Sequence, residues 1–261
     1  MKKATYHLII AVGLSSALFS CIKKEDTLPD TRYSVVPTTN AFIKFNHFSP
    51  DAPQLNFVVN GAKGTAAAPT TAGAEQGMIF PNIFPSNMAY FTAPSGSLKI
   101  DATTISSSTT PGTVIATTTH NFGANKFYSY FLSDSVSKIS TTIVEDDPSV
   151  PDVTKTYIRL ANFVSNGTSV NIEIVKTSAG TPFSKIYPNV PYKSVTTFEP
   201  LNPSPETYRV FLRHPTTNAK LDSISAFTPV AMRKYTIYAR GVLGLTGTNA
   251  KRPIISQYAN F

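Results

Sequence analysis

Tryptophan is absent from the 261 residues, and the only cysteine is Cys21. A lone thiol excludes any disulfide within the chain. Without tryptophan, stacking on a sugar ring would fall to the 12 Tyr and 17 Phe, most of which alternate with polar residues, a pattern of core packing. Charged residues make up only 15% of the chain, and no long Ala/Leu/Glu/Lys run of helical period occurs, which argues against a helical domain. The histidines do not stand at zinc-ligand spacings, and there is no Asp-x-Asp-x-Asp-Gly loop for calcium. No metal and no other cofactor is therefore expected. No nucleic-acid-binding motif is present, so the basic balance of +8 does not by itself point to DNA or RNA.

What is abundant is Thr, Ser, Pro, Tyr and Phe, the vocabulary of short strands and turns. Phe42 to Gly61 holds two alternating runs hinged on Ser49-Pro50-Asp51-Ala52-Pro53. In the first run Ile43 and Phe45 point inward and Lys44 and Asn46 outward, as in a strand with one wet face. In the second, Leu55, Phe57 and Val59 are inward. About 115 residues later Ile158 and Leu160 with Arg159 repeat the first run, and Val170, Ile172 and Ile174 repeat the second. A repeat of this period predicts a tandem array of two similar units. The expected fold is all-β: two tandem immunoglobulin-like β-sandwiches over residues 41–148 and 154–261, joined by the acidic, proline-bearing stretch from Glu145 to Asp152.

The N-terminus carries an address. Lys2 and Lys3 precede an apolar run from Leu8 to Phe19, too short to serve as a stable membrane span, so residues 1–20 read as a cleaved signal peptide. The run ends Leu18-Phe19-Ser20-Cys21, which resembles the lipobox of bacterial lipoproteins. That resemblance implies acylation of Cys21 and so a partner in the membrane itself. Lys24-Glu25-Asp26 resembles the short export tag of surface-exposed lipoproteins, and residues 21–40 read as a flexible, lipidated tether. The expected location is the outer membrane, facing the cell surface.

Taken together, the cation-bearing first strand, the His-x-Ser-Pro-Asp-x-Pro turn from His47 to Pro53, the Asn60-Gly61 strand end, and the acidic linker with its restart resemble the DUF4397 family, domains of unknown function found in exported bacterial proteins, often in tandem. Only the first copy keeps the sharp motif. His47, Ser49 and Asp51 fall too close together on one strand end to act as base, nucleophile and orienter around a substrate, so the motif of His47, Ser49, Pro50, Asp51 and Pro53 reads as architecture, with Asp51 capping backbone amides. No enzyme is expected.

The charge is uneven. Residues 21–150 hold 8 Lys and Arg against 10 Asp and Glu, whereas residues 151–261 hold 13 against 5. Arg209, Arg213, Lys234 and Arg240 are expected on solvent-facing or loop-proximal positions of the basic half, as contacts for an anionic partner. The function expected is a non-catalytic binding or structural module at the cell surface, contacting extracellular polysaccharide or a surface protein. The alternative is an accessory glycan- or nutrient-binding lipoprotein of an outer-membrane uptake system.

Overall fold

The computed structural model describes residues 39–65 and 73–261. The signal peptide, Cys21, the Lys24-Glu25-Asp26 tag and nearly all of the tether lie outside the described residues. Apart from one 3-10 turn at Val136–Lys138, the regular structure described is entirely β.

The first half contains β1 (Asn40–Phe48), β2 (Leu55–Val59), β3 (Ala62–Lys63), β4 (Ile83–Phe84), β5 (Phe91–Pro94), β6 (Gly96–Thr104), β7 (Val114–Phe122), β8 (Phe127–Ser133) and β9 (Ser140–Asp146). One sheet runs β4-β1-β8-β9, with β5 also on β1, and the other runs β3-β2-β6-β7. The second half contains β10 (Thr156–Ser165), β11 (Ser169–Lys176), β12 (Ser184–Pro191), β13 (Ser194–Val195), β14 (Glu199–Leu201), β15 (Tyr208–Arg213), β16 (Lys220–Phe227), β17 (Lys234–Val242) and β18 (Ile254–Ala259). Its sheets run β13-β10-β17-β18, with β14 on β10, and β12-β11-β15-β16, the same order strand for strand. In each half the first strand pairs in parallel with the eighth, β1 with β8 and β10 with β17.

Each half is a two-sheet sandwich around its own core. Ile43, Phe45, Leu55, Phe57, Ile100 and Tyr130 fill the first, and Ile158, Leu160, Ile172, Ile174, Val210 and Ile237 the second. These include the inward positions that the alternation predicts, because a period-2 pattern sends one side of each strand to a single apolar layer.

The outward positions depart from the expectation. Lys44, Asn46 and Arg159, read as a wet face, are almost completely buried. The sheet carrying β1 and β8 packs by that face on the sheet carrying β10 and β17, so the four sheets form a stack with three buried layers. Part of the middle layer is aromatic: Phe131 stacks on Phe163 at 4.5 Å between ring centroids, and Phe48 on Tyr238 at 5.0 Å. Stacked and tilted pairs at such distances add to the stabilisation from burial alone. Alternation shows which residues avoid the apolar core. It does not show whether they meet water or a second polar face.

The acidic stretch is corrected in the same way. Glu145 and Asp146 belong to β9, and Asp146 is buried rather than part of a solvated linker.

Candidate functional site

At the end of β1 the motif residues go separate ways. His47 shares the inward side with Ile43 and Phe45, and burial lowers its pKa to about 4, the Pro53 backbone working the other way, so the ring is neutral at physiological pH. Ser49 donates its hydroxyl to the Asp134 carbonyl at 2.5 Å. Asp51 Oδ1 accepts the amide of Val136 at 2.9 Å. Ser135, which precedes that 3-10 turn, makes no side-chain cap of its own, so a carboxylate 85 residues away takes the capping position. Pro50 and Pro53 bracket the turn that brings it there. The arrangement holds a strand crossing and aligns no nucleophile with a base. Asp51→Ala is therefore expected to lower stability by about 0.5–2 kcal/mol, the usual range for a lost cap. Urea unfolding measures it, and unchanged stability would remove the capping role.

The densest polar chemistry lies between the two sandwiches. Arg159 Nη1 sits 2.6 Å from Asp146 Oδ1, an ion pair without an aligned hydrogen bond, both side chains being fully enclosed. Arg159 Nη2 donates to Ser129 Oγ at 2.9 Å and Nε to Thr236 Oγ1 at 2.8 Å. Ser129 Oγ and Tyr90 Oη in turn donate to Asp146 Oδ2 at 2.7 and 2.8 Å. Thr236 donates to Asn260 Oδ1 at 2.6 Å. Burial works against the Arg159 charge, but the Asp146 carboxylate together with Tyr258 and Tyr90 outweighs it and leaves its pKa above the ordinary value.

Register shows the seam to be doubled. Lys44 lies opposite Ser129 and Arg159 opposite Thr236. Ile43 pairs with Phe91 and Ile158 with Glu199, which puts Tyr90 and Phe198 in corresponding places. Lys44 Nζ lies 4.8 Å from the Tyr90 ring centroid and the Arg159 guanidinium 4.7 Å from that of Phe198. Lys44 donates to the carbonyls of Pro85, Asn87 and Ala89 at 3.2, 2.7 and 2.8 Å, which uses its three protons. Burial lowers its pKa to about 8, with Asp146 acting in the opposite sense.

Among the described residues three ion pairs join the halves: Arg159 with Asp146, Lys234 with Asp147 at 3.4 Å, and Lys193 with Asp134 at 2.5 Å. Each takes its acid from the first half and its base from the second. Part of the uneven charge in the sequence is thus spent on holding the halves together.

Of the four residues expected to meet an anionic partner, only two face outward on the far sheet. Arg209 is exposed near Phe211, and Arg213 is paired with Glu173 at 2.7 Å. Lys234 and Arg240 instead point into the seam. Lys234 is buried against Asp147 and Phe198, and Arg240 lies over Phe80 with Nε and Nη1 buried. The reason is again the hidden face: positions 234, 236, 238 and 240 share one side of β17, and that side meets the first sandwich.

Beside the ion-pair network a cleft of about 290 Å³ opens along the seam, walled by Tyr157, Val144, Val195 and Phe198, with Thr196 and Glu145 among its polar groups. A mostly apolar concavity with a few polar groups at a domain junction suits binding of a small molecule. Phe198 and Thr196 were missed from sequence, because nothing in the local pattern distinguishes that loop. Among the described residues, no group of three or more His, Cys, Asp or Glu is placed to hold a metal.

The family described as "Domain of unknown function (DUF4397)" matches residues 41–173, half of the chain. The chain belongs to that family. The DUF4397 match takes in the whole first sandwich, β10 and much of β11, and so runs across the seam. No curated protein matches the chain. Among solved structures, it is similar to a family 26 carbohydrate-binding module from Eubacterium rectale Amy13K in complex with maltoheptaose, at 11% identity and a TM-score of 0.26, over 83% of this chain and 95% of that one. It is also similar to a candidate adhesin from Bacteroides ovatus, at 14% identity and a TM-score of 0.18, over 76% and 87% of the two chains. TM-scores this low carry neither fold nor ligand over to this DUF4397 chain.

Proposed function

We propose that the chain is a non-catalytic binding module held at the outer surface of the outer membrane by acylated Cys21. One observation carries the binding half of this reading. In the family motif and the seam, Ser49, Asp51 and the Arg159–Asp146 pair are committed to structural bonds and His47 is sealed in the interior out of reach of a substrate, whereas an open cleft remains between the sandwiches. The address rests on the lipobox and on Lys24-Glu25-Asp26. The membrane, through the acyl chains, and extracellular polysaccharide or a neighbouring surface protein are the partners this reading implies. An accessory role in glycan or nutrient uptake is the second reading, favoured by the Phe198 ring beside the hydroxyl of Thr196 in the seam cleft.

The address is tested on whole cells. The native protein is expected to be labelled and shaved by protease on intact cells, and Cys21→Ala to leave the membrane fraction, because a single unacylated segment has no stable anchor. Protection until the outer membrane is ruptured would place the protein in the periplasm. Membrane retention of the Cys21→Ala chain would remove the acyl anchor.

A further inference from the structure

The loop joining β17 to β18 spans residues 243–253, eleven residues, where the corresponding loop between β8 and β9 spans the six of 134–139. Hairpin connections are commonly about 2–5 residues. The extra length has a visible consequence. The loop stands away from β16 and opens a second cleft, of about 420 Å³, at the edge of the second sandwich. Gly241, at φ +116°, permits this course, since a Cβ there would overlap the Arg252 carbonyl oxygen.

The cleft is lined by Lys220, Asp222 and Ser223 from β16 and by Thr246, Gly247 and Arg252 from the loop. Its donors outnumber its free acceptors. Asp222, the one carboxylate in the lining, has both oxygens engaged: Oδ1 lies 3.3 Å from Arg252 Nη1, and Oδ2 accepts the Ile255 amide at 2.9 Å. Arg252 uses only Nη1, shared with the Pro253 carbonyl, so Nε and Nη2 have no partner among the described residues, on a side chain 31% exposed. Lys220 is exposed and makes no ion pair among the described residues. The amides of Thr246 and Gly247 are likewise unbonded there. Consecutive amides next to a residue of positive φ, as at Gly247, form the kind of concavity that accepts anions. Taken alone, the glycine-rich stretch of this loop lacks the lysine that a phosphate cradle needs. The fold supplies the missing cations from β16 and from the far end of the loop.

We propose that this cleft binds an oxyanion, a phosphate, sulfate or carboxylate, carried on a sugar-sized body. Arg252 and Lys220 supply charge-assisted hydrogen bonds. The loop amides and the hydroxyls of Ser223 and Thr246 complete the donor set, and Leu221 and Leu245 give an apolar wall for the ring. The volume exceeds what a bare ion would fill. Asp222 positions Arg252 and does not itself meet the ligand.

The inference deepens the reading of the chain as a binding module, but its test does not depend on the cellular address. Calorimetric titration of the full-length chain in detergent with glucose 6-phosphate, glucose 6-sulfate, glucuronate and glucose separates the three oxyanion sources from the uncharged sugar. At least one charged sugar is expected to bind roughly tenfold or more tightly than glucose, and the difference should shrink as salt rises. Lys220→Gln, on an exposed strand position, and Arg252→Gln should each weaken that binding severalfold with the melting temperature of the Lys220→Gln chain unchanged. Arg209→Gln, on the outer sheet, should leave it intact. Equal affinity for glucose, no binding of any charged sugar at millimolar concentration, or full binding by a folded Lys220→Gln, Arg252→Gln double variant would each overturn the proposal. Surface exposure of the protein would stand in all three cases.

Discussion

Replacing Asp146 by Ala is expected to destabilise the chain by about 3–5 kcal/mol, the range for removing one partner of an enclosed ion pair. The cost comes less from the attraction lost than from what stays behind. Arg159 keeps its charge in a site 1% exposed, and the hydroxyls of Tyr90 and Ser129 lose their acceptor. Replacing both partners with apolar residues of similar size, Arg159→Met with Asp146→Leu, should recover much of the loss, since the pair has already given up its hydration. Urea unfolding with an unchanged m-value measures each variant, and the double-mutant cycle isolates the coupling. A loss below about 1 kcal/mol would mean that water reaches the pair and that the seam is not closed.

Phe57→Ala tests the first core rather than the seam. The ring is completely buried, stacks on Phe45 at 4.7 Å and meets Tyr130 edge-on at 5.3 Å. Truncation forfeits the transfer free energy of the ring and leaves a cavity that neighbouring strands can only partly fill, for an expected loss of about 3–5 kcal/mol. Val114→Ala, on an exposed position of the edge strand β7, should stay within about 0.5 kcal/mol. Thermal and urea unfolding of the two variants side by side gives the contrast. A near-neutral Phe57→Ala would show that the inward side of β2 does not carry the core.

The two cases mark where reading from sequence succeeds and where it stops. Phe57, with Ile43, Phe45, Ile158 and Ile172, was legible because alternation is a local property: successive side chains of a strand point to opposite faces, so apolar residues two apart define a buried side without knowledge of what covers it. The capping role of Asp51 could be inferred from the turn chemistry around it. Its actual partner, the Val136 amide, could not, because nothing near Asp51 in the chain names a segment 85 residues away. The burial of Lys44, Arg159 and Lys234 was hidden for a related reason. A polar residue at an outward position satisfies the pattern equally well against water or against a second sheet rich in Ser, Thr, Asn and Asp. The choice between them depends on how the two sandwiches dock. The excess of acid in the first half and base in the second was a trace of that docking, readable only once Asp146, Asp147 and Asp134 are seen opposite Arg159, Lys234 and Lys193. The cleft of Lys220 and Arg252 is likewise a product of tertiary structure. Its two cations lie far apart in the chain, and the β16 strand and the long loop after β17 become neighbours only when the sandwich closes. Strand identity and core side are set by short-range periodicity, whereas the pairing of polar faces and the convergence of charge are set by long-range contacts to which no local pattern is bound.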